Sequence, residues 1–151
     1  MMTTEKNYIN DDAPIRRQID VFITAFRTRD VDLMMSLYAP GMVSFDIVPP
    51  LQVVGRERYR EVWKAAFSLF RDPIEIEIRD PSNTTGNTVA FSHKLLRLRA
   101  TMTNGQPIDH WERMTHCFCK MDGKWLITHE HVSVPADLEK GSAVPDLRPE
   151  W

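Results

Sequence analysis

Several features that would each have pointed to a function class are scarce or missing here. Only two of the 151 residues are cysteines, Cys117 and Cys119. Two apart on one extended segment, they share a face of a single chain and are poorly placed to bridge each other. They read as reduced thiols packed as small hydrophobes, because neither a Cys-x-x-Cys spacing nor further ligands accompany them. There is no surplus of positive charge: 19 Lys and Arg stand against 21 Asp and Glu, a formal net charge of −2. Nucleic acid and anionic membranes are therefore not expected as partners. No apolar run approaches the ~20 residues of a membrane helix, and Met1 to Asp12 holds no apolar leader segment. A cytoplasmic protein is the expectation. Also missing are a Gly-rich phosphate loop, a Gly-x-Ser-x-Gly elbow and a His-Glu-x-x-His zinc signature.

What is present is ordinary for a globular chain, with 42% hydrophobic and 26% charged residues. A length of 151 residues suits one domain that buries roughly two-thirds of its unfolded surface without staples. Asp11-Asp12-Ala13-Pro14 signals a helix start, and Ile15, Ile19, Phe22, Ile23 and Phe26 follow at helical spacing to about Arg29. Asp30 is placed to cap a second, shorter helix carrying Leu33, Met34, Leu37 and Tyr38, which Ala39-Pro40-Gly41 stops. Met42 to Val48 alternates weakly, and Pro49-Pro50 breaks it before a short continuation over Leu51 to Val54. Gly55 opens a third helix with Tyr59, Val62, Trp63, Ala66, Phe67 and Phe70 on one face.

From Ile74 the period changes to alternation, Ile74, Ile76 and Ile78 against Glu75, Glu77 and Arg79. Asp80 to Asn87 is rich in turn residues. Val89 to Met102, Ile108 to Met121 and Lys124 to Val134 read as long strands, joined by Asn104-Gly105 and Asp122-Gly123 turns. Helices first and strands last predict an α+β fold: a cone-shaped barrel of three N-terminal helices packed in a strongly curved antiparallel sheet, enclosing an apolar cavity. The expected organisation is a disordered segment over 1–12, one domain over 13–135 and an irregular tail over 136–151.

Particular stretches resemble a known superfamily. They are Val43-Ser44-Phe45-Asp46, the Pro49-Pro50 break, Val54-Gly55-Arg56-Glu57 before the aromatic helix, and the run from Arg113 to Lys120 followed by Asp122-Gly123-Lys124-Trp125 through Ser133. Together, over roughly Pro14 to Pro135, they resemble nuclear transport factor 2-like proteins, within that group most closely the SnoaL-like, ketosteroid-isomerase-like branch. Asp46 falls where ketosteroid isomerases keep their general base. Phe22 falls where they place an oxyanion tyrosine, and His116 where they keep a protonated aspartic acid. The base position matches while both donor positions differ, which implies proton-transfer chemistry on a carbonyl compound other than a steroid.

On that resemblance the expected catalytic groups are Asp46 as base, His116 as donor or shuttle, and Glu130 orienting His116 or offering a second carboxylate. The expected substrate-binding residues are Phe22, Tyr38, Tyr59, Trp63, Phe67, Met114, Phe118 and Val132, with the Tyr38 and Tyr59 hydroxyls as candidate oxyanion donors. Strand parity places His110, Glu112, Met114, His116 and Phe118 inward on one strand, and Thr128, Glu130 and Val132 inward on the last, unless a bulge reverses either. Trp111, Trp125, Ile127, His129 and His131 then face outward. His93, Arg97 and Arg99 alternate along another outer face. The His129-Glu130-His131 pair of imidazoles reads as an outer-face feature, and no metal or other cofactor is expected. A small hydrophobic molecule is the expected ligand, and a homodimer through the outer face of the sheet the expected assembly. The alternative reading is a non-catalytic ligand-binding or assembly module of the same fold.

Overall fold

The computed structural model describes residues 11–150, so the expectation of a disordered segment falls, for residues 1–10, outside the described residues. Pro14 sits in the first turn of α1 (Ala13–Thr28), where its missing N–H has no helical partner to forgo. The apolar stripe of α1 buries Ile15, Ile19, Phe22, Ala25 and Phe26. Arg29 ends it in the left-handed conformation, φ 54, with its N–H returned to the Ala25 and Phe26 carbonyls. Asp30 caps α2 (Val31–Met35) by accepting from the Leu33 N–H at 2.9 Å. Gly55, at φ 93, makes the turn into α3 (Arg56–Phe67), and its N–H bonds the Met42 carbonyl at 2.8 Å. That bond fixes the start of α3 against the strand that ends just before Asp46.

Six strands form one sheet: β1 (Tyr38–Phe45), β2 (Val53–Val54), β3 (Phe70–Thr85), β4 (Val89–Met102), β5 (Pro107–Met121) and β6 (Lys124–Ser133), in the order β2-β1-β6-β5-β4-β3. All pairs are antiparallel except β1 with β6, which is parallel, so the sheet is mixed. The inner face, α1 and α3 share one core built on Phe22, Phe26, Tyr38, Tyr59, Trp63, Leu96, Met114, Phe118 and Ile127. Each such side chain contributes roughly 1.5–3 kcal/mol by leaving water, and the aromatic members meet edge to face, as Phe26 does with Trp63 at 5.2 Å. The helices-then-sheet α+β cone expected from the sequence is the observed architecture.

Four details differ from expectation, each for a physical reason. Tyr38 does not continue the second helix. It opens β1 opposite Ile127, and the Ile127 N–H takes the Leu37 carbonyl at 2.8 Å, so strand pairing overrides a short helical pattern. β3 runs on through most of the supposed turn: Asp80 adopts φ 48, the register slips between Arg79 and Ser82, and Ser82 to Thr85 pair with His93 to Ala90. The C-terminal stretch holds a small hairpin, β7 (Ala136–Asp137) with β8 (Ser142–Ala143), and Arg148 reaches Asp109 at 3.2 Å.

The fourth difference bears on the site. Cys117 pairs with His129 but Phe118 pairs with Ile127, leaving Thr128 as an extra residue, its hydroxyl bonded to the Cys117 carbonyl at 3.3 Å. This bulge reverses parity along β6. Trp125 and Ile127, expected outside, are buried in the core, and Thr128, expected inside, is not. Glu130 and Val132 beyond the bulge are buried as expected. Deleting Thr128 forces either the Trp125–Ile127 pair or the Glu130–Val132 pair outward. The deletion variant is expected to lose its cooperative urea transition, followed by circular dichroism, whereas Thr128→Ala shifts stability by only about 1 kcal/mol.

Candidate functional site

Glu130 is the hub. It stands on β6, 1% exposed, and its carboxylate receives donors from three neighbouring elements. From β1 the Tyr38 hydroxyl donates to Oε1 at 2.7 Å and the Ser44 hydroxyl reaches Oε2 at 3.4 Å. From α3 the Tyr59 hydroxyl donates to Oε2 in a short bond. From β5 the His116 Nε2 lies 2.6 Å from Oε1. The other ring nitrogen of His116, Nδ1, lies 3.2 Å from the Nζ of Lys94 on β4. Phe22 packs on the same ring with centroids 5.6 Å apart, and Phe118 at 6.0 Å. A continuous polar chain thus crosses an otherwise apolar interior: Lys94, His116, Glu130, then Tyr38 and Tyr59.

Asp46 lies at the end of this chain. It follows β1 directly, is half-buried, and its Oδ2 is 3.5 Å from the Tyr59 hydroxyl. Its Oδ1 accepts the Ile47 N–H at 2.7 Å. A phenol has one proton to give, and that of Tyr59 goes to the nearer carboxylate, Glu130. Ile47 to Leu51, the segment after Asp46, is exposed, so Asp46 lies where the buried chain meets the surface. Two strands away on β5, Glu112 is buried and paired with His110, Nε2 to Oε2 3.1 Å.

Electrostatics separate the two carboxylates. Burial alone pushes Glu130 up, but the bonds from His116, Tyr59 and Tyr38 outweigh it, and the group is held below its ordinary value as an anion. Asp46 is raised to about 6, first by burial and then by the negative charge of Glu130, with Glu112 adding to the repulsion and the Ile47 N–H opposing it. Tyr38 and Tyr59 are raised well above the usual phenol range by burial and by Glu130. His116 is lowered to about 4 by burial and by the Lys94 charge, so the ring is neutral at pH 7.

Asp46, His116, Glu130, Tyr38 and Tyr59 are therefore brought together, with Phe22 against them. Met114, Phe118 and Val132 are buried on the inner face beside this group, and Trp63 packs on Tyr59 at 6.0 Å between ring centroids. Phe67 lies farther along α3, against Phe26 at 5.7 Å. His116 corrects the expectation of a donor reaching a ligand: both ring nitrogens are already engaged, one by Lys94 and one by Glu130. Tyr38, Tyr59, His116 and Glu130 are all 1% exposed or less, which leaves no water-sized gap against them. The interior expected to be hollow is packed with side chains at this point. An open surface hollow of about 730 Å³ lies instead between Arg29, Lys64, Phe67, Phe70, Arg71 and Thr103, and of the expected lining residues only Phe67 reaches it.

On the outer face, His129 donates from Nδ1 to the Val43 carbonyl at 2.8 Å, and Phe45 packs edge-on against His129 and His131 at 4.7 and 5.5 Å. No cluster of three or more His, Cys, Asp or Glu suited to a metal occurs among the described residues, nor is any of their helices long and apolar enough to cross a membrane. Sequence reasoning missed Lys94 and Ser44. The signal for Lys94 is in the sequence: Ala90, Ser92, Lys94, Leu96, Leu98 and Ala100 alternate as the inward row of β4, while His93, Arg97 and Arg99 form the opposite row.

Residues 15–137 match the family profile of the SnoaL-like domain. Among solved structures, a nuclear transport factor 2-like protein of unknown function from Pseudomonas putida superposes with a TM-score of 0.82 at 28% identity, over 89% of this chain and 94% of that one. A nuclear transport factor 2-like superfamily protein from Salmonella enterica gives 0.73 at 20% identity, over 86% and 94%. A ketosteroid isomerase-like protein from Erwinia carotovora gives 0.71 at 20% identity, over 82% and 96%. No curated protein matches the chain.

The position of Asp46 carries a stability cost. Its proton is held more tightly in the folded chain, near 6, than at the ordinary value of 3.8. The favourable contribution of the protonated acid is complete below about pH 4 and is lost as pH rises through 6. Asp46→Asn removes that loss. Urea denaturation is expected to find the variant more stable than the parent by roughly 1–2 kcal/mol at pH 8, after allowing for partial screening by solvent, with little difference at pH 4. Equal gains at both pH values would refute this account of Asp46.

Proposed function

The chain belongs to the SnoaL-like domain family, and from that premise we propose that it is a small-molecule enzyme moving a proton on a hydrophobic carbonyl compound. Isomerisation, cyclisation and dehydration of such compounds share a first step, removal of a proton from the carbon next to the carbonyl. The observation that carries the reading is the contrast between two neighbouring carboxylates. Glu130 is saturated with donors and sealed from water. Asp46, beside it, is partly accessible, poor in donors and raised to about 6. A base that holds a proton near neutral pH both accepts it from carbon and gives it back.

In the proposed step the Asp46 carboxylate takes the proton, and the electron pair of the broken C–H bond moves through the new C=C bond onto the carbonyl oxygen. That oxygen needs a donor, and Phe22 supplies none. Trp63 has one to spare: its Nε1 is buried without a hydrogen-bond partner. One turn after Tyr59 on α3, it becomes the donor for the developing enolate. Asp46 then returns the proton to carbon, or gives it to a β-hydroxyl, which the enolate expels as water. The exposed apolar side chains of Ile47, Val48 and Leu51, next to Asp46, favour a hydrophobic substrate.

The test is deuterium uptake from D₂O into a panel of cyclic and aryl ketones, followed by proton NMR. The protein is expected to accelerate exchange next to the carbonyl in at least one of them, with a rate that rises with pH to a midpoint near 6 as Asp46 ionises. Asp46→Asn is expected to lose roughly 10²–10⁴-fold and Trp63→Phe about 10²-fold. Exchange at the parent rate in the Asp46 variant excludes the proposed base. An absence of exchange across the panel, with Asp46 titrating at an ordinary carboxylate value, favours a binding module.

A further inference from the structure

Lys94 is a charged side chain where a strand pattern calls for an apolar one. It is 3% exposed, in the inward row of β4 between Ser92 and Leu96. An ammonium in such a place needs a compensating charge, yet its hydrogen-bond partner among the described residues is an imidazole nitrogen, His116 Nδ1 at 3.2 Å. The compensating charge is Glu130, on the far side of the same ring, 2.6 Å from Nε2. This geometry fixes the ring chemistry. An ammonium has protons and no lone pair, so Nδ1 must be the acceptor. The single proton of the neutral ring then sits on Nε2, where the Glu130 carboxylate accepts it. An imidazolium would set an N–H against the ammonium.

We propose that Lys94 is a positioning residue: acting through His116, its ammonium holds the ring in the Nε2–H form and keeps Glu130 the anion that anchors the Tyr38 and Tyr59 hydroxyls next to Asp46. The ring conveys the interaction between a buried cation and a buried anion without carrying net charge itself. Facing His116 are Lys94 from β4, Glu130 from β6, Phe22 from α1 and Phe118 from its own strand, with Tyr38 and Tyr59 behind Glu130. The charge of His129 also disfavours the imidazolium. Burial lowers Lys94 to about 8 against the pull of Glu130, so the ammonium predominates at neutral pH. The consequence for proton transfer rests on the function proposed above. The protonation pattern rests on the contacts alone.

The experiment is long-range ¹H–¹⁵N correlation on histidine-labelled protein between pH 5 and 8, for the parent, Lys94→Met and the double variant Lys94→Met/Glu130→Gln. In the parent, His116 is expected to show an unprotonated Nδ1 and a protonated Nε2 throughout. In Lys94→Met the ring becomes the only counter-ion for Glu130, and its midpoint is expected to rise by roughly two pH units or more. In the double variant, with neither charge present, it is expected to fall back. A protonated Nδ1 in the parent at pH 7, or an unchanged midpoint in Lys94→Met, overturns the proposal. Should Lys94→Met not fold, the parent spectrum decides alone, by the same criterion. Slower ketone exchange in Lys94→Met links the effect to the proposed reaction. A parent that shows the ring signature but exchanges no ketone sinks the enzyme reading and leaves Lys94 in place.

Discussion

A carboxylate taken out of water stays ionised only if its surroundings replace the solvent, and most of the described site follows from meeting that demand at Glu130. The acceptors of one carboxylate are filled by donors from β1, α3 and β5, elements far apart in sequence. Tyr38 is 92 residues away and Tyr59 71. Each donor can reach Glu130 only if its own element is seated correctly. The parallel β1–β6 pair brings Tyr38 and Ser44 alongside, the Gly55 turn points Tyr59 inward, and the antiparallel β5–β6 register sets His116 opposite Glu130. A buried polar network of this kind is costly when any member is unsatisfied, so it selects one arrangement of strands and helix over near alternatives that an apolar core would tolerate.

The same demand explains what the sequence could and could not reveal. Long alternating strands joined by Asn-Gly and Asp-Gly turns, and helices with apolar stripes, are periodic signals, and the α+β layout was legible from them. Residue-level identities at the site were legible where a family pattern anchored them, as at Asp46, His116 and Glu130. Parity arguments held along β5, where no irregularity intervenes between His110 and His116. On β6 they failed at Trp125, Ile127 and Thr128 and held beyond, because one extra residue, Thr128, reverses the count, and nothing in the local sequence distinguishes a threonine in a bulge from one in a regular strand. Tyr38 was misplaced for a related reason: a five-residue helix leaves too short a pattern to mark its end, and the pairing partner that claims Tyr38 lies some ninety residues downstream. Lys94 was legible in principle, as a cation inside an apolar row, since burying one requires an explanation.

Phe22 brings no polar group to the buried chain. Its phenyl ring packs on His116 and Trp63 and closes that side with apolar surface. The hydroxyl donors come from other elements: Tyr38 lies on β1 and Tyr59 on α3, and both give their protons to Glu130. Their charged forms are strongly disfavoured, so they act as neutral donors that stiffen the wall of the site and not as acids in their own right.

What distinguishes Asp46 from Glu130 is therefore environment and not chemistry of the group. Both are carboxylates on or next to neighbouring strands of one sheet. One accepts protons from two phenols, a serine and an imidazole; the other has a single strong backbone donor and faces two negative neighbours. The more completely Glu130 is satisfied, the more firmly its charge is fixed, and that fixed charge is the second-largest influence raising Asp46. Lys94 enters the same logic from the far end, because whatever keeps His116 neutral and Glu130 ionised also preserves the repulsion felt at Asp46. The site is a gradient of protonation across one sheet, from a buried ammonium through a neutral ring and a fixed carboxylate to an acid poised near neutral pH at the surface. A substitution at its buried end is thereby tied to the behaviour of a proton at its open one.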